Sequence, residues 1–323
     1  MTKNLKYIAL WLLVTLLASA CSKDGADGNE VTNRNEAKKE IGIKPDVWKM
    51  AEATRATTYD NTTLQSGGFT VYAYKAGEST AGYAYIDNKT VSYNAPNWII
   101  TGRPYYWPAY NLDFFAYAPA TLPSYIAADP ALTYTAAHNV TFTCSGLPMT
   151  NAGQGSSLKE FMFGMALGKN GENAGSGVPL QFQHPFARIK LQLAASHPNV
   201  TINSITFRGI YNNGDYDHSA SPKWSTTGVA TNFVLSLTGE AAVFNNNSTA
   251  KQIGDDYIMI PQDWAGEIVV NADCLYWGEK KNYTSLTTTV PTDWQPGYSY
   301  TYTFSISPDD LKVGTTSQFT EQW

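Results

Sequence analysis

Side chains able to do chemistry are few in this chain and are spaced wrongly for most reactions. The sequence has 4 histidines, all scattered, and lacks His-Glu-x-x-His, Gly-x-Ser-x-Gly and Cys-x-x-Cys. Metal hydrolysis, acyl transfer and dithiol exchange therefore lack their residue patterns. Gly164-Met165-Ala166-Leu167-Gly168-Lys169-Asn170 approaches a phosphate loop. It is one residue short and ends on Asn where a metal-binding hydroxyl belongs. Asp215-Tyr216-Asp217-His218 alternates carboxylates with an imidazole, as a metal site would, but Asn212, Asn213 and Gly214 make it read as a solvated hairpin loop. Asp255-Asp256 reads as a turn before a strand, and His184, followed by Pro185 in an apolar strand, as a packed core or bulge residue. No catalytic residue, metal site or cofactor is expected.

The cysteine in the most informative place is Cys21. Lys3 and Lys6 form a basic head, an apolar run extends from Tyr7 to Leu17, and Leu17-Ala18-Ser19-Ala20 leads into Cys21. Residues 1–20 read as a secretory signal ending in the small residues that a signal peptidase needs. A cysteine just after them resembles the lipobox of bacterial lipoproteins, in which that cysteine is acylated and becomes the new N-terminus. The apolar run is about half the ~20 residues needed to span a bilayer. The expectation is a protein held by lipid on Cys21, with palmitate as one acyl chain, on the outside of the cytoplasm. Residues 21–52 then form a lipidated tether. Asp24, Asp27, Glu30 and Glu36 lie there among polar residues too poor in apolar side chains to fold. Acidic residues in this place look like the surface-export tag of some outer-membrane lipoproteins, and a plain flexible linker accounts for them equally well.

Composition narrows the partners. The full chain carries 22 basic and 27 acidic residues, a net charge of −5. Removing Lys3 and Lys6 with the signal leaves 20 against 27, near −7. Nucleic acid, which needs a basic stripe, is excluded as a partner. With Cys21 lipidated, Cys144 and Cys274 are the remaining pair. Their 129 intervening residues favour two buried free thiols over a bridge.

The elements that must position anything functional are strands. Tyr and Thr suit pleated, half-buried surfaces, and Asn, Gly and Pro suit turns. Phe69, Val71 and Ala73 alternate with Thr70, Tyr72 and Tyr74, and Leu112 to Tyr117 runs apolar until Pro119. Ile189, Leu191 and Leu193 alternate with Arg188, Lys190 and Gln192, predicting one buried and one wet face. Ile205 and Phe207 repeat the pattern, as do Tyr298, Tyr300, Tyr302 and Phe304. Amphipathic helices are lacking, apart from short turns near Leu158 to Met162. Gly168 to Pro179 has no apolar anchor, which marks a long loop or a domain boundary. Placing the boundary there gives an all-β protein of two tandem β-sandwiches, residues 53–177 and 178–323. Tyr105, Tyr106, Trp107 and the dispersed tryptophans, Trp224 among them, are candidates for sugar stacking, although aromatic filling of sandwich cores explains them more simply.

Several phrases together resemble the fimbrillin family, the subunits of type V pili. They are Phe69-Thr70-Val71-Tyr72-Ala73-Tyr74, Tyr105-Tyr106-Trp107-Pro108 and Leu112-Asp113-Phe114-Phe115-Ala116-Tyr117-Ala118-Pro119. Leu180 to Ile189, Tyr257-Ile258-Met259-Ile260-Pro261-Gln262, Trp294 to Tyr302 and Trp323 complete the set. The resemblance implies a non-enzymatic lipoprotein of two transthyretin-like sandwiches, displayed on the outer membrane and in a fimbrium as stalk, tip or anchor. It also implies assembly with other fimbrial subunits by strand exchange, triggered when an Arg-specific protease cuts near the first strand, and adhesion to a host or bacterial surface. Carried onto this chain, the cut falls at Arg55 in Ala53-Thr54-Arg55-Ala56-Thr57, with Arg34 as another accessible site. The donor segment is Leu311 to Trp323, where Val313 and Phe319 suit apolar pockets and Gly314-Thr315-Thr316-Ser317 interrupts the alternation. A segment folded back on its own domain fits as well. A surface glycan-binding lipoprotein is the alternative function.

Overall fold

Alternating β-branched and aromatic residues between Gly, Pro and Asn turns drive most of the described residues into strands. The computed structural model describes residues 38–47, 61–78, 84–127, 139–154, 158–194, 200–239, 243–244, 250–276, 279–290, 292–307 and 310–319. All of them belong to one unit, Lys38–Trp323. The first half runs β1 (Ile43–Val47), α1 (Asn61–Gly67), β2 (Phe69–Lys75), β3 (Ile86–Asn94), β4 (Asn97–Ile100), β5 (Leu112–Ala118), β6 (Thr141–Cys144), α2 (Asn151–Gln154), β7 (Met162–Lys169) and β8 (Val178–Gln183). The described part of the second half continues with β9 (Ala187–Leu193), β10 (Val200–Ile210), β11 (Asn213–Asp217), β12 (Trp224–Thr227), β13 (Thr231–Ser236), β14 (Val243–Phe244) and β15 (Lys251–Gln252). It closes with β16 (Tyr257–Met259), β17 (Asp263–Trp264), β18 (Glu267–Tyr276), β19 (Glu279–Thr289), β20 (Thr292–Asp293), β21 (Tyr298–Ser307) and β22 (Asp310–Phe319).

A seven-stranded sheet takes the order β1-β8-β7-β5-β2-β3-β4. Later strands form β13-β10-β18-β19, with β14 on β10, and β15-β9-β21-β22, with β16 on β9. The aliphatic side of β9, Ile189 and Leu191, meets Ile205, Phe207, Trp264, Trp294 and Tyr302 between these two sheets. A second core lies under one face of the seven-stranded sheet, where Ile43, Val47, Phe69, Phe114 and Phe182 meet. A third covers the opposite face, with Tyr72, Phe115, Tyr117 and Phe163 against Phe142, Tyr216 and Trp224.

The third core explains why β2 and β5 are buried on both faces. Its cover is the three-stranded sheet β12-β11-β6, which joins one strand from before β7 to two from after β9. Asp215-Tyr216-Asp217 is therefore strand β11, not a solvated loop. Tyr216 is buried, stacks on Phe142 at 4.8 Å, and has its phenol pKa raised, chiefly by burial. Asp215 instead faces outward and accepts a hydrogen bond from Thr143 Oγ1 at 2.6 Å. Asn213 and Gly214 open that strand, paired with Thr227 and Thr226, rather than forming a turn apex.

The Gly168 to Pro179 stretch connects two adjacent antiparallel strands, β7 and β8, of the seven-stranded sheet. Ala174 and Val178 enter the second core, and Asn170 Oδ1 accepts from the backbone N–H groups of Glu172 and Asn173, each at 2.9 Å, so the segment is anchored by burial as well as by a side-chain turn. The helical turns expected near Leu158 to Met162 lie elsewhere, in α1 and α2. Met162 opens β7, because its apolar run matches the two buried faces of that sheet. Cys144 and Cys274 are free and buried, each in a different core. Burial pushes the Cys144 thiol up to about 12. Among the described residues, no helix is long and apolar enough to cross a membrane, and no cluster of His, Cys, Asp and Glu could hold a metal ion.

Candidate functional site: the slot of the first strand

Cys21, Arg34, Arg55 and Trp323 lie outside the described residues. What the structure does describe is the strand between Cys21 and Arg55. Ile43–Val47 is too short to be a stable strand alone, and its polar residues Lys44 and Asp46 point outward. Parallel pairing with β8 holds it, in the register Ile43↔Val178, Pro45↔Leu180 and Val47↔Phe182. Ahead of β1 the chain pairs on its other side: Ile41 N–H donates to Tyr105 O at 2.8 Å, and Trp107 N–H donates to Lys39 O at 3.0 Å. Residues 39–41 thus pair with the Tyr105–Trp107 segment and residues 42–47 with β8, and these two partners together form the slot that holds the stretch. Val47 N–H, at the far end, donates to Asn61 Oδ1 at 3.1 Å, so α1 closes the slot.

The slot grips by burial. Ile41, Ile43 and Val47 enter the core formed with Leu64, Phe69, Tyr105, Leu180 and Phe182. Each such side chain contributes about 1.5–3 kcal/mol when fully buried. Two glycines let the backbones close. A Cβ on Gly177 would stand 3.2 Å from Ile43 C and 3.3 Å from Gly42 C, and one on Gly42 would stand 3.2 Å from Ser176 O. Side chains at either position would push the strand away from β8.

At the opposite end of the chain, β22 pairs antiparallel with β21 without a break, from Ser307↔Asp310 to Tyr298↔Phe319. Gly314-Thr315-Thr316-Ser317 therefore does not interrupt the strand, because the ladder depends on backbone groups and tolerates small polar side chains. β22 is an edge strand of its sheet.

A buried polar cluster joins the cores and was largely hidden from sequence reasoning. His184 is buried, as expected, with Nδ1 2.9 Å from Glu160 Oε1. Arg188, expected on a wet face, is 2% exposed and lies 3.6 Å from Asp256 Oδ2. The cause is β16, which pairs along β9 and brings the preceding Asp256 over that face. Asp256 thus does more than form a turn. Burial raises its carboxyl pKa against the opposing pull of Lys190 and Arg188, and burial lowers that of Arg188. The only sequence trace of this pair is a basic residue near the start of an alternating strand, with Asp255-Asp256 before another. The aromatic candidates for sugar stacking divide. Trp224 is buried and its Nε1 donates to Pro185 O at 2.6 Å, so it presents no platform. Trp107 is half-buried against Phe114, and Tyr106 is exposed.

An all-β subunit with an inserted first strand is the protein class that this architecture defines. The family model described as Fimbrillin-like matches residues 54–323, and the chain belongs to that family. No curated protein sequence matches. Among solved structures, a fimbrial protein from Bacteroides vulgatus is similar, with a TM-score of 0.62 at 15% identity, over 87% of this chain and 99% of that one. A candidate cell adhesion protein from Bacteroides ovatus gives a TM-score of 0.52 at 13% identity, over 87% and 96%. A third, a candidate cell adhesion protein from Bacteroides eggerthii, gives 0.50 at 14% identity, over 88% and 97%. At these identities the likeness is one of fold. Family membership makes the chain a fimbrial, structural protein rather than an enzyme.

Proposed function

We propose that this protein is a surface fimbrial subunit, lipidated at Cys21 on the outer membrane, cut after Arg55, and assembled by strand exchange. The observation that carries the reading is the slot. β1 lies upstream of Arg55, so a cut there severs from the body the strand that β8 and Tyr105–Trp107 hold. Its departure would leave unpaired backbone groups on β8 and apolar pockets where Ile41, Ile43 and Val47 sat. An open edge with empty pockets is a template for an incoming strand. Hydrogen bonds there contribute only about 1 kcal/mol each, so the pockets supply most of the grip. Two sandwich domains belong to the same proposal, with the boundary moved from the expected 177/178 to a point after β8, because β8 pairs with β7 and β1 in the seven-stranded sheet. The second subunit's Leu311–Trp323 segment as donor belongs to it too.

The test is mass spectrometry on protein from surface filaments, alongside the Arg55→Ala variant. A mature N-terminus at Ala56 in ladders that resist mild denaturation supports the reading, with R55A arrested as an acylated monomer. Acylated Cys21 on an uncut monomer, or ladders unchanged in R55A, overturns it.

A further inference from the structure

The geometry points to Gly314 as the register key of assembly: residues 313–319 of a second copy replace residues 41–47 in the slot, with Gly314 standing where Gly42 stands. This rests on the strand-exchange reading, in which β22 of the donor copy leaves its ladder with β21, and specifies the alignment. Gly42 and Gly177 approach so closely that an added Cβ would be tighter than ordinary contact, at 3.2 Å from Ser176 O for Gly42 and 3.2 Å from Ile43 C for Gly177. A replacing strand fits with least displacement of β8 when it brings a glycine to that place, since any Cβ there requires its neighbours to give by a few tenths of an ångström. The segment Leu311–Trp323 holds a single glycine, Gly314.

Aligning Gly314 with Gly42 fixes every other position. Val313 takes the place of Ile41, Thr315 of Ile43, Ser317 of Pro45 and Phe319 of Val47. Thr316 and Gln318 take the places of Lys44 and Asp46, which are exposed. The two ends of the pattern are apolar in both segments, and the outward positions are polar in both. Thr315 is the weak point, since it brings a hydroxyl to a place that Ile43 buries. A shift by one residue would turn Val313 and Phe319 to the outer face and Thr316 and Gln318 inward. A shift by two would move the glycine away from Gly177 and set a side chain against it.

Cross-linking in the full chain tests this. Gln181 is paired with Asp46, so the alignment sets Gln318 of the donor beside Gln181 of the acceptor. Strand neighbours at that spacing are within disulfide range. Cys144 and Cys274 are buried and do not compete, and the cut segment carries Cys21 away. The Gln181→Cys/Gln318→Cys protein, cleaved at Arg55 and oxidised, should give ladders that survive boiling and collapse on reduction. Gln181→Cys/Thr316→Cys, which reports a two-residue slip, should not. Gly314→Val should lower ladder yield on the order of tenfold or more through overpacking, with the monomer's melting temperature kept as the check on folding. Wild-type ladders with cross-links only in the slipped pair, or a Gly314→Val protein that polymerises normally, would overturn the register while leaving strand exchange intact. Cleaved wild-type protein that forms no ladders would overturn both.

Discussion

β5 and β1 belong to the same sheet and are held in opposite ways. All seven residues of β5 are buried: Leu112, Phe114 and Ala116 enter one core, while Phe115 and Tyr117 enter another. In β1 only Ile43 and Val47 are fully buried, both in one core, and Lys44 and Asp46 face water. An inner strand clamped between two cores can leave only with global unfolding. A short strand with one buried side and one sheet neighbour can leave alone, and this one sits before the candidate cleavage site. β9 extends the contrast, since its second face is covered by charge, with Arg188 against Asp256.

The sharpest way to break that contrast is Phe115→Ala. Its ring packs within 6.4 Å of Tyr72 and 6.3 Å of Tyr117. We expect a loss of about 3–5 kcal/mol in global stability, read by denaturant unfolding. A loss no greater than that of Ile43→Ala would mean that the third core contributes little.

Arg188→Met tests whether the charged cover of β9 acts like an apolar one. Asp256 would keep only Lys190 as a close cation, and we expect a loss of roughly 3 kcal/mol near neutral pH. The sign with pH is specific. The folded-state pKa of Asp256 lies above its unfolded value and rises further in the variant, so the folded state binds the extra proton. Stability of the variant should therefore fall as pH rises through and above the ordinary carboxylate range, and recover on acidification. Arg188→Met/Asp256→Asn should lose this dependence, and a single variant with the pH profile of the wild type refutes the assignment.

Ile43→Ala should cost about 2 kcal/mol, at the low end for such a truncation, and the cost should be local. Hydrogen exchange is expected to quicken in residues 41–47 while the β5 amides keep their protection. Uniform loss across both strands would show that β1 does not open independently.

Asn61→Ala gives the smallest effect. It removes the acceptor of Val47 N–H and should cost about 1 kcal/mol, seen as faster exchange at Val47 alone. Faster exchange across α1 as well would mean that the closure of the slot is cooperative.

How much of this was legible without coordinates varies by element. β2, β5, β9 and β21 announced themselves through alternation or continuous apolar runs, and His184 through its apolar surroundings. Two buried free thiols also followed from spacing. The sequence hides β11, because one of the strands that bury Tyr216 comes from far along the chain and local polarity points to a loop. Arg188 falls on the wet face by alternation, because period-two patterning reports which residues share a side and not what covers that side. The slot itself could not be read, since neither Gly42 nor Gly177 reveals its close approach until β1 is laid beside β8.

Sequence alone therefore determined the all-β character, the family resemblance, the candidate lipid anchor at Cys21 and the candidate cut at Arg55, because each rests on residue type and local order. Tertiary structure decided that the inner strands β2 and β5 are buried on both faces, that Asp256 covers Arg188, and that residues 39–47 are held by Tyr105–Trp107 and β8. Those depend on pairings between residues far apart in the chain, and local propensity carries no record of them.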